Sequence, residues 1–216
     1  MIEFINVSKR YPESPHHRMV IDDVSFKINR SEKLGIVGVN GAGKSTLIRL
    51  AAGVEKPTSG KVIRTMSCSW PIGFGGAFQS SLSGNDNMRF LARIYGQNYE
   101  TLRKQVEEFS DLGEYLQAPV RTYSSGMRAR FAFGLSLGID FECLLVDEII
   151  SVGDERFRQK CHVEIMKRSN QALIFASHDT SLLETYCDQF AIVINGKFKR
   201  CLNLQDAERE RSNALR

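Results

Sequence analysis

One run restricts this chain more than any other: Gly38-Val39-Asn40-Gly41-Ala42-Gly43-Lys44-Ser45-Thr46. It fits G-x-x-x-x-G-K-[ST], the phosphate-binding P-loop, a pattern with mechanical meaning only between a buried strand and a helix. Both flanks are present. Lys33-Leu34-Gly35-Ile36-Val37 reads as a short buried strand, and Leu47, Ile48, Leu50 and Ala51 recur at helical spacing before a Gly53 cap. The glycines let backbone N–H groups and a helix N-terminus face a polyphosphate. Lys44 then reaches the β- and γ-phosphates, and the Ser45 hydroxyl is a ligand for Mg²⁺. The candidate nucleotide-binding residues of the loop are Gly38, Asn40, Gly41, Gly43, Lys44, Ser45 and Thr46.

Composition sets the outer limits. A chain of 216 residues with 42% hydrophobic and 25% charged residues is globular and large enough to bury a core, here expected as a single domain. The net charge of +4 is not gathered into a basic run, which speaks against nucleic acid as a partner. Cys68, Cys143, Cys161, Cys187 and Cys201 are odd in number and widely spaced, as expected of reduced cytosolic thiols and not of a disulfide framework or zinc site. The N-terminus carries no signal-peptide pattern, and no apolar run approaches the ~18 residues of a membrane helix. Any membrane association is therefore expected to come through a partner.

Strand and helix signals alternate along the chain. Ile2–Val7 alternates as a strand, as do Val24, Phe26 and Ile28. Pro57-Thr58-Ser59-Gly60 reads as a turn before a strand starting at Lys61. The glycine-rich stretch from Trp70 to Gln79 follows no regular period, so it is either packed or made for a partner. Amphipathic helices are expected through Met88, Leu91, Ala92 and Tyr95, and through Leu102, Val106, Phe109 and Leu112, with a third after Gly126. Cys143–Val146 and Leu173–Ala176 read as buried strands ending in polar pairs, Asp147-Glu148 and Ser177-His178. Asn195-Gly196 predicts a type I′ hairpin, and the charged tail from Asp206 a frayed helix. Strands alternating with helices, with polar residues at strand ends, imply a mainly parallel sheet binding its ligand at the carboxyl ends. An N-terminal antiparallel β segment and a helical insert at about 84–138 depart from a simple doubly wound sheet.

Asp147-Glu148 after an apolar strand, in a chain that also holds a P-loop, is a Walker B element. Asp147 would hold Mg²⁺, and Glu148 would polarise the attacking water. The order of Tyr11, P-loop, Gln79, Tyr123-Ser124-Ser125-Gly126-Met127, Asp147-Glu148, Ser151-Val152-Gly153-Asp154 and His178 resembles the ATP-binding subunit of an ATP-binding-cassette (ABC) transporter over essentially the whole chain. The resemblance implies the ABC ATPase fold, ATP and Mg²⁺, and a homodimer that sandwiches ATP. In it Tyr11 would stack on adenine, Gln79 would reach Mg²⁺ and the attacking water, and His178 would bond the γ-phosphate. Asp154 would help join the protomers, and Ser124 and Gly126 would face the γ-phosphate bound by the opposite subunit. Tyr123, Ser125 and Met127 depart from the usual Leu-Ser-Gly-Gly-Gln signature.

Tyr-Ser-Ser-Gly-Met, the Trp70–Gln79 stretch, Ser83-Gly84-Asn85 and Ala92-Arg93-Ile94-Tyr95-Gly96 resemble the polysaccharide-exporting branch, most closely capsular-polysaccharide export ATPases. The short tail after the final hairpin favours that type over O-antigen or teichoic-acid exporters with a long C-terminal extension. The resemblance implies integral membrane permease subunits, whose coupling helix would dock beside the Trp70–Gln79 stretch. It also implies a peripheral position on the cytoplasmic face of the bacterial inner membrane. ATPases for another exported glycan and a slow nucleotide-gated clamp remain alternatives.

Overall fold

A computed structural model describes residues 1–12, 19–72, 76, 78–147 and 155–214. Two compact units share the chain: Met1–Pro71, Phe141–Glu148 and Asn170–Arg216 form the first, Ile72–Asp140 and Ile149–Ser169 the second.

The first unit holds the strand-end residues. Strands β1 (Ile2–Arg10), β2 (Met19–Ile28) and β4 (Ser59–Arg64) make an antiparallel sheet in the order β2-β1-β4. Their inward positions, among them Ile2, Phe4, Val7, Ile21 and Ile28, are almost completely buried. A second sheet runs β5-β6-β7-β3-β8-β9, from β3 (Lys33–Val37), β5 (Cys68–Ile72), β6 (Cys143–Asp147), β7 (Ala172–Ser177), β8 (Gln189–Ile194) and β9 (Lys197–Cys201). Its centre is parallel: β3 pairs with β7 and β8, and β6 with β7. The central strands are apolar without alternation because both faces are covered. Helix α1 (Lys44–Ala52) packs Leu47, Ile48, Leu50 and Ala51 into one core with both sheets. The β8–β9 hairpin turns at Asn195 and Gly196 with φ of 49° and 77°, the type I′ geometry expected.

The second unit is helical. Helices α2 (Gly84–Ile94), α3 (Tyr99–Ser110), α4 (Ser125–Gly138) and α5 (Glu155–Met166) are joined in part by 3₁₀ turns at Gly113–Gln117 and Val120–Thr122. Side-chain caps start α2 at Ser83 and α3 at Asn98. Phe157 of α5 sits edge-on to Phe109 of α3 and Phe133 of α4, which ties α5 into this unit.

Three expectations change. Trp70, Pro71 and Ile72 belong to strand β5, where continuous burial erases the period-2 signal; β5 lies at the sheet edge, where proline is tolerated. Ser59 and Gly60, expected as turn residues, already belong to β4, where Ser59 pairs with Ser8. The charged tail is a defined helix, α7 (Leu204–Ala214), tied down by Thr180 Oγ1 to Glu208 Oε1 at 2.6 Å and Lys199 Nζ to Glu210 Oε1 at 2.8 Å. The expected ABC-type fold, with an antiparallel sheet, a mainly parallel core sheet and helical elements, is otherwise the one observed.

Candidate functional site: a phosphate cradle at the carboxyl ends of the central strands

The register of the parallel strands brings the motif residues together. Val37 at the end of β3 pairs with Ser177 at the end of β7, and Asp147 at the end of β6 pairs with Ala176. The P-loop, Asp147 and His178 therefore leave one edge of the sheet side by side, where open α/β sheets bind ligands. Gly43, with φ of 111°, caps α1; a Cβ there would lie 2.6 Å from the Val20 carbonyl oxygen, so only glycine fits. A cavity of ≈ 370 Å³ opens over Asn40, Gly41, Lys44, Ser45, Thr46 and Arg49. A larger one of ≈ 460 Å³ between α3, α4 and α5 is lined by none of the motif residues.

Lys44 is buried and curls onto its own loop, donating from Nζ to the Gly38 and Val39 carbonyls at 2.7 and 3.1 Å. Burial pushes its pKa below the usual lysine range; the Asp147 carboxylate offsets part of this, and the Arg211 guanidinium adds to it. Burial likewise raises the Asp147 carboxyl, against the pull of the Ser45 hydroxyl and the charges of Arg49 and Lys44. Ser45 Oγ donates to Asp147 Oδ1 at 3.0 Å. A hydroxyl and a carboxylate oxygen in contact, beside a phosphate cradle, suit a hard cation such as Mg²⁺.

Tyr11 is half-buried at the same unit's surface. Its hydroxyl donates to Glu55 Oε2 at 2.6 Å and lies 3.4 Å from Thr46 Oγ1. Glu55 also pairs with Arg49 at 2.8 Å and Lys9 at 3.4 Å, so a carboxylate fixed by two cations orients the ring.

A family model described as ABC transporter matches residues 21–151, which span the P-loop, Tyr123–Met127 and Asp147. The chain belongs to the ABC transporter family. It is 52% identical to the capsule polysaccharide export ATP-binding protein CtrD of Neisseria meningitidis serogroup B, with 91% of each chain covered. Against the ATP-binding protein BexA of Haemophilus influenzae it is 49% identical, again over 91% of each chain. Its fold matches that of the ATP-binding cassette MJ0796, solved as a dimer in a post-hydrolysis state with ADP and Pi, at a TM-score of 0.78 and 17% identity over 93% of this chain and 98% of that one.

Within this ABC chain, three expected site residues belong to the second unit. Gln79 has an exposed side chain on a backbone fixed by buried Asn87, which accepts from Gln79 N at 2.7 Å and donates to Gln79 O at 3.0 Å. Ser124 caps α4, accepting from Met127 N at 3.2 Å, and remains exposed. Gly126 lies in the first turn of α4, and Ser125 beside it takes an ordinary helical conformation. Tyr123, in place of leucine, is buried and donates its hydroxyl to the Tyr115 carbonyl at 2.7 Å. Glu148, Asp154 and Ser151–Gly153 lie outside the described residues.

Sequence reasoning missed Glu55, Asn87 and Arg211. Arg211 lines a cavity of ≈ 120 Å³ behind Gly38–Ala42 and donates to the His178 carbonyl at 2.8 Å. Only Asn87 left a signal, as a buried polar position on the apolar side of an amphipathic helix.

Proposed function

We propose that this chain is the ATP-hydrolysing subunit of an ABC transporter that powers export of capsular polysaccharide across the bacterial inner membrane. The observation that carries the reading is the contact of Ser45 with Asp147 beneath the P-loop, in a chain 52% identical to a capsule polysaccharide export ATP-binding protein over 91% of its length. The chain acts as one ATP-binding domain with a helical subdomain of about 84–138.

The residues divide the work. Tyr11 stacks on adenine, held at its hydroxyl by Glu55. The backbone N–H groups of Gly38, Asn40, Gly41 and Gly43, together with Thr46 at the start of α1, cradle the phosphates. Lys44 exchanges the Gly38 and Val39 carbonyls for β- and γ-phosphate oxygens, so its buried charge gains a full counter-charge. Ser45, Asp147 and Gln79 would hold Mg²⁺, which would supply charge neutralisation to the phosphates. Glu148 takes the proton of the attacking water, and His178 donates to the γ-phosphate.

The partners follow from the same chemistry. The exposed Ser124 hydroxyl and the α4 N-terminus around Gly126 are anion donors for the γ-phosphate of a second copy, so ATP closes a homodimer and ADP releases it. Asp154 helps to join the copies. No described helix is long and apolar enough to cross a membrane. The chain is held at the cytoplasmic face by integral permease subunits, which dock beside the segment before Gln79 and on the exposed Phe90 and Ile94 of α2.

The test is a chromosomal Glu148→Gln exchange in the source bacterium, with surface and intracellular glycan stained separately. Capsule lost from the surface while polymer accumulates inside is the expected result. An intact capsule in cells whose purified variant no longer hydrolyses ATP overturns the substrate.

A further inference from the structure

The charged helix that closes the described chain reaches the back of the P-loop. Strand β7 ends at buried Ser177, and the chain turns at His178 before α6 (Thr180–Tyr186). The His178 carbonyl, beyond the last ladder bond of the strand, accepts from Arg211 Nη1 of α7 at 2.8 Å. Three residues earlier on α7, Glu208 accepts from Thr180 Oγ1 at 2.6 Å. Positions i and i+3 share a helix face, so one face of α7 grips the turn at residues 178 and 180. The same guanidinium lines the ≈ 120 Å³ cavity formed with P-loop residues Gly38–Ala42 and the end of β8. It is near enough to Lys44 to lower that group's basicity.

We infer that Arg211 is a positioning residue: its bond to the His178 carbonyl fixes the backbone from which the imidazole reaches the γ-phosphate, and so makes α7 part of the catalytic apparatus. This rests on the role given to His178 above. A guanidinium-to-carbonyl bond is charge-assisted and stronger than a neutral one. Fixing the carbonyl fixes the 178–179 peptide plane, one of the two planes that meet at the His178 Cα from which the imidazole projects. The apolar attachment of α7 is separate: Ala207 is fully buried, whereas Arg209 bonds only Asp206 of its own helix among the described residues.

The experiment compares steady-state ATPase of the full chain in five variants: Arg211→Met, Arg211→Lys, His178→Ala, the Arg211→Met/His178→Ala double variant and Arg209→Ala. Methionine keeps the packed stem and removes the donors. Arg211→Met is expected to lower kcat about tenfold with KM for ATP within about twofold, because the interaction is realised at the transferring phosphate. Lysine restores most of the rate, and Arg209→Ala leaves it unchanged. In the double variant, loss of Arg211 adds less than about twofold to the His178→Ala defect, since both act through one group. Wild-type kcat in Arg211→Met, or losses that multiply in the double variant, overturns the proposal alone. Wild-type kcat in His178→Ala overturns the role of His178, and the proposal with it.

Discussion

Two residues of the cradle hold unfavourable charge when no nucleotide is present. Asp147 is pushed above its ordinary value of 3.8 by burial, so its folded carboxyl keeps a proton that the unfolded one has lost. Folding stability therefore falls as pH rises from 3.8 through the raised value, and the full cost stands at neutral pH. Lys44 is displaced the other way, so its protonated form is disfavoured on folding at every pH below its lowered value. Replacing Asp147 by Asn keeps an acceptor for Ser45 Oγ and removes the charge. The nucleotide-free variant should melt roughly 2 °C higher than wild type at pH 7, a gain kept small by partial solvent screening. That gain should vanish below pH 3.8, where wild-type Asp147 is protonated in both states. Mg²⁺-dependent hydrolysis should fall at least about a hundredfold. Melting curves at both pH values beside an ATPase assay check this; a destabilised Asn variant at pH 7 would contradict it. At this scale the sequence was readable where chemistry is contiguous, as in the P-loop, or stands at the end of an apolar strand, as in Asp147 and His178. It was unreadable at Glu55 and Arg211, whose partners lie 44 and 33 residues away, because separations of that size depend on how elements pack.

Elements explain the departure from the common signature. Tyr123 stands where leucine is usual, and its ring is buried edge-on to Phe131 with centroids 5.9 Å apart. Its hydroxyl satisfies the Tyr115 carbonyl in the 3₁₀ turn before it, and Gly84 at the start of α2 leaves room for that oxygen: a Cβ there would come within 2.7 Å. One phenol thus ties together the starts of α2 and α4 and the turn between them. Tyr123→Leu, though it restores the common residue, should destabilise the protein by roughly 2–3 kcal/mol through a lost buried bond and an incompletely filled space. The unfolding midpoint should drop by about 4–12 °C. A midpoint equal to wild type would show that the phenol contributes nothing. Helices α2 and α3 were legible from their periodicity because each exposes one polar side, whereas α4 is buried on all sides from Phe131 to Gly138. Strand β5 was not legible, and α7 was legible as a helix but not as an anchored one. β5 is buried continuously around a proline, so it lacks a period, and α7 is so polar that its anchoring shows only in the burial of Ala207 and in its contacts with Thr180, His178 and Lys199.

For the whole molecule, the decisive question is whether one copy can complete its own site. Lys44, Ser45, Asp147 and His178 belong to one compact unit, while Ser124 and Gly126 belong to the other, with the Ser124 hydroxyl exposed at the start of α4. If that end of α4 serves a second copy, each two-fold dimer has two composite sites, and each site takes its P-loop from one copy and its signature from the other. Lys44→Ala disables a site through the cradle, and Ser124→Arg disables it through the signature, where a bulky cation would occupy the place of a hydroxyl donor. Each variant alone should be inactive, because every site in its homodimer carries the defect. Mixed in equal amounts, half of the dimers are heterodimers. In each of these, the sound P-loop of the Ser124→Arg copy meets the sound signature of the Lys44→Ala copy, and the other site carries both defects. Activity should then return on mixing, to at most about a quarter of wild type if sites act independently. The return should depend on total protein concentration as a bimolecular association does. Sites completed within one chain would give no gain at any mixing ratio, and a constant zero across the titration would remove the trans assignment of Ser124 and Gly126 while leaving the cradle chemistry of Lys44 and Asp147 intact.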